Sequence, residues 1–368
     1  MNLINNNVDI HCHVVDNYGD AGIALRLARS YQNKYPLARI SLFIDDLSLL
    51  NLLDSSINSS LEIQELENIV FIDILRARMN DFSPAPLVIQ LLETPLPEVY
   101  RDKAYLNSQL IINIEGISAE SWVESVHGSA SYIDGVAKKH FYIPGFTEQS
   151  GGMLINQEKQ KNKPFDRAYF LNEHNLAPSS DCLVGVLFNY GEEVDAMINA
   201  LNKYQKKIYL FVCGEKSQRS LSQTMLPEGK LVLIYPRFYS QLEFDALLKI
   251  ADFNLVRGED SLMQAINVAN TFLWQIYPQT DFVHIVKLKA FINMAEEFFE
   301  DKELFKIYKD LLLYYNGISE AKDEEIEDIT YSFMDNLDKI RLNLQKLRKK
   351  VLEKGTLIER LLKFIEQI

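Results

Sequence analysis

Short runs of consecutive apolar residues alternate along the chain with stretches whose apolar positions step by three and four. The first run covers residues 8–15. A polar turn follows, Asp16-Asn17-Tyr18-Gly19-Asp20-Ala21-Gly22, and then Ile23, Leu25, Leu27 and Ala28 open a helix that fades at Tyr35-Pro36. Runs at 40–44, 70–74, 87–91 and 110–114 continue the series. Continuous rather than alternating apolar runs predict strands buried on both faces, as in parallel sheets. Strands alternating with helices predict right-handed βαβ units, so the fold class is α/β.

The pattern breaks between residues 148 and 167, where EQSGGMLINQEKQKNKPFDR carries a Gly pair, many polar residues and a Pro. Such punctuation predicts a linker. Beyond it, runs at 183–188, 207–213, 231–234 and 253–256 predict a second sheet, with helices at 192–204 and 241–250. The predicted layout is one α/β domain over 1–150, a linker over 151–168, a second α/β domain over 169–335, and terminal helices over 336–368. Leu337, Ile340, Leu344, Leu347 and Val351 form one apolar stripe, and Gly355 marks its stop. A stripe of about two heptads is too short to favour a coiled-coil dimer, so these helices are expected to pack on the chain's own domains.

Composition narrows the function. The 368 residues include 51 acidic and 38 basic ones, a formal net charge of −13. A nucleic-acid binder usually carries a basic excess or stripe, so nucleic acid is not an expected partner. Apolar residues make up 47% and charged ones 24%, the balance of a soluble globular protein. No window approaches the roughly 18 apolar residues of a membrane span, and MNLINNNVDI does not resemble a secretory signal. The three cysteines, Cys12, Cys182 and Cys213, sit in apolar runs without a CxxC pair, which suits a reducing compartment. A cytoplasmic protein that does not engage membranes is the expectation.

Three groups of residues carry candidate chemistry. Asp16, Gly19 and Asp20 lie in a strand-to-helix turn. Their glycines permit close approach of a ligand, but they do not make a dinucleotide fingerprint. Helix capping is the structural reading of both carboxylates; the functional one makes Asp20 a base that projects into a cleft. Arg257-Gly258-Glu259-Asp260-Ser261 occupies the same place in the second domain. Its helix-start amides and Arg257 can hold a diphosphate, while Glu259 or Asp260 can accept from sugar hydroxyls; a capped helix with a surface ion pair is the alternative. Phe188, Tyr190, Phe238, Tyr239 and Tyr277 fall near strand ends, where rings can sandwich a base or simply line the rim. Metal readings are weak. His11 and His13 would share a strand face with Cys12 opposed, and Asp45-Asp46 is not a DxD pair. No metal and no cofactor are expected.

Together the stretches VVDNYGDAGIALRLAR, NIEGISAESWVESVHG, HFYIPGFTEQSGG, FNLVRGEDS and WQIYPQTDFVHIVKLKAF resemble the protein-arginine rhamnosyltransferases that modify elongation factor P. The resemblance implies a GT-B glycosyltransferase fold, two Rossmann-like domains facing a cleft. It implies inverting, metal-independent transfer of rhamnose from dTDP-β-L-rhamnose to one arginine of elongation factor P. By the same resemblance Asp16 and Asp20 are the essential acids, with Asp20 the base. Arg257, Glu259, Asp260 and Ser261 bind the donor, Phe188, Tyr190, Phe238 and Gln241 hold the thymine, and Tyr277 contacts the diphosphate. The chain departs from the family pattern at Asn270 and Gln275, where a small residue and a histidine are usual. A GT-B enzyme with a saccharide or lipid acceptor and a non-catalytic nucleotide-sugar binder are the competing classes.

Overall fold

The computed structural model describes residues 3, 7–16, 18–92, 94–156, 165–177, 181–191, 194–222, 224 and 226–368. They form two compact units, Met1–Glu158 together with Val351–Ile368, and Lys159–Lys350. The predicted linker lies partly outside the described residues.

The first unit runs β1 (Val8–Cys12), α1 (Tyr18–Lys34), β2 (Ile40–Ile44), α2 (Leu47–Leu53), β3 (Ile63–Leu66), β4 (Ile69–Asp73), β5 (Leu87–Leu91), α3 (Glu98–Asn107), β6 (Leu110–Ile114), α4 (Trp122–Val126), β7 (Ala130–Ser131) and β8 (Lys138–Tyr142). Its eight strands are ordered β3-β4-β2-β1-β5-β6-β8-β7. The six from β4 to β8 in that order are parallel; β3 and β7 pair antiparallel at the edges. All five residues of β1, β4, β5 and β6 are buried, which explains why their runs are mostly apolar. One side of the sheet closes on Phe43, Val70, Ile72, Val88, Tyr100 and Ile111.

His11 belongs to this core. Its ring stacks on Phe43 at 4.3 Å and packs at a tilt against Tyr100 at 4.4 Å. Burial lowers its pKa to about 3, so it is a neutral aromatic ring. The expectation that His11 and His13 share a strand face fails because β1 stops at Cys12. His13 lies past the strand end and is exposed.

The second unit runs α5 (Arg167–Glu173), β9 (Cys182–Leu187), α6 (Asp195–Lys203), β10 (Lys207–Val212), α7 (Glu215–Leu221), β11 (Leu231–Ile234), α8 (Gln241–Ile250), β12 (Phe253–Arg257), α9 (Gly258–Val268), β13 (Thr271–Gln275), α10 (Val283–Glu296), α11 (Lys302–Tyr315), α12 (Asp323–Asp335) and α13 (Leu337–Leu352). Its sheet, β11-β10-β9-β12-β13, is parallel throughout. Two parallel-sheet α/β units with a helical C-terminal stretch are the GT-B architecture foreseen from the sequence. The stripe residues Ile340, Leu344 and Leu347 are buried, and α13 ends three residues before Gly355, which takes a φ of 102°. The last helix, α14 (Leu357–Gln367), packs on the first unit. There Arg360 donates to the carbonyls of Thr147 (2.7 Å) and Ser150 (3.1 Å), while Phe364 meets Tyr142 edge-on at 5.5 Å. Among the described residues no helix is long and apolar enough to cross a membrane.

Gly185, central in β9, pairs in register with Phe253 of β12. A Cβ there would stand 2.3 Å from the Phe253 ring, so only glycine admits that ring. Gly185→Val is expected to destabilise by about 1–3 kcal/mol through overpacking, read as a lowered urea midpoint. Phe253→Leu in the same chain should recover a large part of the loss. Strictly additive losses would show that this contact does not limit the packing.

Candidate active site

In each unit the parallel strands bring their carboxyl ends to one edge, the usual ligand edge of open α/β sheets. In the first unit that edge is organised around the backbone that follows β1. Four consecutive N–H groups there are accepted by side chains. His13 donates to Thr94 Oγ1 at 2.8 Å, Val14 to Asp45 Oδ1 at 3.0 Å, and Val15 and Asp16 both to Asp20 Oδ2 at 2.8 Å. Asp20 lies buried in the first turn of α1, and its carboxylate closes the loop back on the helix. Gly19 N–H donates to the Asp16 carbonyl at 2.8 Å, completing the turn, and Asp16 itself is half-buried. The structure thus brings Asp16, Gly19 and Asp20 together on one turn.

Beneath the loop, the Cys12 thiol points at the Asp20 carbonyl at 3.7 Å. Burial, reinforced by the nearby Asp20 and Asp45 carboxylates, pushes this thiol well above the usual range. Such a thiol is no nucleophile at neutral pH. Asp45 has a second task, since its Oδ2 pairs with His13 Nδ1. Asp45 and Thr94 escape a reading of the sequence as site residues. The signal that finds them is position: Asp45 directly follows β2 and Thr94 lies three residues past the end of β5, the two strands that flank β1.

In the second unit the edge is built on Arg257. Its guanidinium is buried, lies 4.2 Å from the centroid of Phe188 and 4.4 Å from that of Tyr190, and donates to the Asn189 carbonyl at 2.8 Å. One cation therefore stacks on both rings and holds the peptide between them. Further anchors fix the same segment. Asn189 N–H donates to Ser217 Oγ at 2.8 Å and Tyr190 N–H to Gln275 Oε1 at 2.7 Å. Gln275, one of the departures from the family pattern, also donates to the Tyr315 carbonyl at 3.0 Å. Tyr277 meets Tyr190 edge-on at 5.5 Å, and the Lys216 ammonium lies 5.5 Å from the Tyr190 centroid. Gly214 has a φ of 78°, and a Cβ there would meet the Phe188 ring at 2.6 Å.

The helix α9 starts directly after Arg257, its N-cap, which makes no side-chain bond to the helix, so the start of α9 lies at this edge. Trp274 Nε1 fixes the helix start by donating to the Gly258 carbonyl at 2.9 Å. Glu259 pairs with Lys287 of α10. Asp260 accepts from Gln264 at 3.2 Å, and Ser261 is buried.

Phe238 enters from the segment between β11 and α8, and Gln241 is the first residue of α8. Phe238 is partly exposed, Gln241 buried, and α8 reaches the aromatic group through Phe244, 5.3 Å from Phe188. Arg237 anchors this segment by donating to Glu173 Oε1 at 2.9 Å and to Glu243 at 2.6 and 3.1 Å. Burial opposes ionisation of Glu243, but bonds from Arg237 and Ser240 prevail and hold its carboxyl down at about 2. The predicted donor residues thus collect on one sheet edge. Among the described residues no group of three His, Cys, Asp or Glu side chains is arranged to hold a metal ion.

Comparison with known proteins fits this geometry. The family model described as Elongation-Factor P (EF-P) rhamnosyltransferase EarP matches residues 8–366. A protein-arginine rhamnosyltransferase from Shewanella oneidensis is 31% identical over 317 residues, 78% of this chain and 80% of that protein. Another from Pseudomonas putida is 33% identical over 305 residues, 77% of this chain and 80% of its own. Among solved structures, one described as the structural basis for EarP-mediated arginine glycosylation of translation elongation factor EF-P aligns with a TM-score of 0.62 at 20% identity, covering 98% of this chain and 99% of that one. A UGT transferase from Siraitia grosvenorii in complex with UDP aligns with a TM-score of 0.56 at 11% identity, over 98% and 99% of the two chains, which is a likeness of fold. The chain belongs to the elongation-factor P rhamnosyltransferase family, the protein-arginine rhamnosyltransferases.

Proposed function

We propose that this enzyme transfers L-rhamnose from dTDP-β-L-rhamnose to an arginine side chain of elongation factor P, in the cytoplasm, with inversion and without a metal or other cofactor. The observation that carries the reading is the Asp20 carboxylate, built into the strand-end loop with one oxygen holding that loop's own amides. Arginine has a pKa above 12, so its guanidinium is a poor nucleophile as the cation. Full deprotonation in advance would be too costly at neutral pH. A carboxylate that accepts one proton as the bond forms removes that cost.

In this mechanism Asp20 Oδ1 takes the proton, and Asp16 helps orient the guanidinium. One guanidinium nitrogen bonds to the anomeric carbon of rhamnose as the carbon–oxygen bond to dTDP breaks, and dTDP leaves with the electron pair. The donor belongs to the second unit. Phe188 and Phe238 hold the thymine with Gln241 and Tyr190, while Glu259 and Asp260 engage the sugar. Tyr277, Ser261 and the first amides of α9 receive the diphosphate. Charge grows on that diphosphate in the transition state, and Arg257 with the helix start stabilises it, the task a metal performs elsewhere.

The direct test is the intact mass of elongation factor P after incubation with the purified protein and dTDP-rhamnose in excess EDTA. One added deoxyhexose on arginine is expected. Activity on a saccharide with no change in elongation factor P would overturn the acceptor, and activity that disappears in EDTA and returns with Mg²⁺ or Mn²⁺ would overturn the metal-free mechanism. Asp20→Asn isolates the base. The amide oxygen can still accept from Val15 and Asp16, so the loop and dTDP affinity should persist while turnover falls about 10²–10⁴-fold. Turnover within a few-fold of wild type would remove Asp20 from the role.

A further inference from the structure

Besides Asp16 and Asp20, the carboxyl-end edge of the first unit holds an acid that the proposed mechanism does not use. Asp45 directly follows β2, which pairs with β1 so that Ile44 lies opposite Cys12. That register sets Asp45 beside the backbone leaving β1. Its Oδ1 accepts the Val14 N–H at 3.0 Å, and its Oδ2 pairs with the His13 ring. Asp45 keeps only 15% of its side-chain surface exposed, whereas His13 keeps 55%. The carboxylate is thus built into the edge, and the imidazole lies over it.

The other anchors of this backbone complete the picture. Thr94, just beyond β5 on the opposite flank of β1, takes the His13 N–H at 2.8 Å while its own hydroxyl donates to the Leu91 carbonyl. Asp20 takes the next two N–H groups after Val14. Side chains from three separate segments therefore satisfy four successive donors. The amide that Asp45 takes lies between the one fixed by Thr94 and the two fixed by Asp20. Removing its acceptor would leave Val14 N–H to find water and would free the residue immediately before the two amides that Asp20 binds.

We propose that Asp45 is a positioning residue for transfer: by accepting from Val14 it sets the loop that carries Asp16 and Asp20, and it does so through its oxygen as an acceptor more than through its charge. This rests on the proposed role of Asp20, and the test separates the two claims.

The variants are Asp45→Ala, Asp45→Asn and His13→Ala in the full chain, each read by turnover, by donor KM and by hydrogen exchange at the Val14 amide. Asp45→Ala is expected to lower kcat about tenfold or more and to speed Val14 exchange by a similar factor, as loss of one charge-assisted bond implies. Donor KM should stay within about twofold, because the donor residues lie in the other unit. Asp45→Asn retains an acceptor for Val14 and should restore turnover and slow exchange to within about threefold of wild type. His13→Ala leaves the Val14 bond intact and should behave likewise.

Wild-type exchange and turnover in Asp45→Ala would overturn the proposal. Asparagine as damaging as alanine would overturn the claim that acceptance rather than charge matters. A wild-type protein that transfers no rhamnose would sink the proposed function alone, because exchange at Val14 still decides whether Asp45 holds the loop.

Discussion

The acceptance of two successive backbone N–H groups by one buried carboxylate oxygen, Val15 and Asp16 onto Asp20, is the constraint on which the first unit's edge depends. A loop leaving a parallel strand abandons the ladder, and its donors must find acceptors or water. Here they find a carboxylate from the helix that the loop introduces. The turn is therefore closed by the residue it presents, and that residue's position is fixed to within the length of two short hydrogen bonds. Preorganisation of this kind is what proton transfer requires, since a base must already lie in reach when the bond forms.

The second unit solves the corresponding problem with a cation. Arg257 ends β12, stacks on Phe188 and Tyr190, and binds the carbonyl between them. Sequence position alone suggests a side chain directed at a diphosphate; its contacts show that it also builds the aromatic wall. One buried charge thereby shapes the ring surface and adds positive potential beside the start of α9. The Arg237, Glu173 and Glu243 network repeats the strategy beside Phe238 and Gln241: ion pairs anchor the segment that carries Phe238 into the start of α8.

Much of this was legible in the residues themselves. The strands β1, β2, β5, β6, β9, β10, β11 and β12 announce themselves because most of their positions are buried and their runs are mostly apolar. The edge strand β3 and the strand β8 next to the other edge do not. Ile63–Leu66 alternates exposed and half-buried positions, and KKHFY is mostly polar. The turn bearing Asp16 and Asp20 was visible as a polar interruption between a strand and a helix. Its anchors Asp45 and Thr94 were not, because they lie 31 and 81 residues from the amides they accept. Strand register brings them there, pairing Cys12 with both Ile44 and Leu91. His11 and His13 show the same limit: periodicity placed them on one face, but the strand ends between them, making one a buried ring and the other an exposed one.

The central claim is that a single displacement occurs, with the proton taken by a carboxylate that never bonds to the sugar. A single displacement inverts the anomeric centre, whereas a covalent sugar–enzyme intermediate retains it. The measurement is the anomeric configuration of rhamnosyl-arginine in elongation factor P modified by this enzyme, determined by nuclear magnetic resonance on the isolated glycopeptide. From dTDP-β-L-rhamnose the account predicts an α-linked product. A β-linked product would contradict it, because it would require a carboxylate acting as nucleophile instead of base.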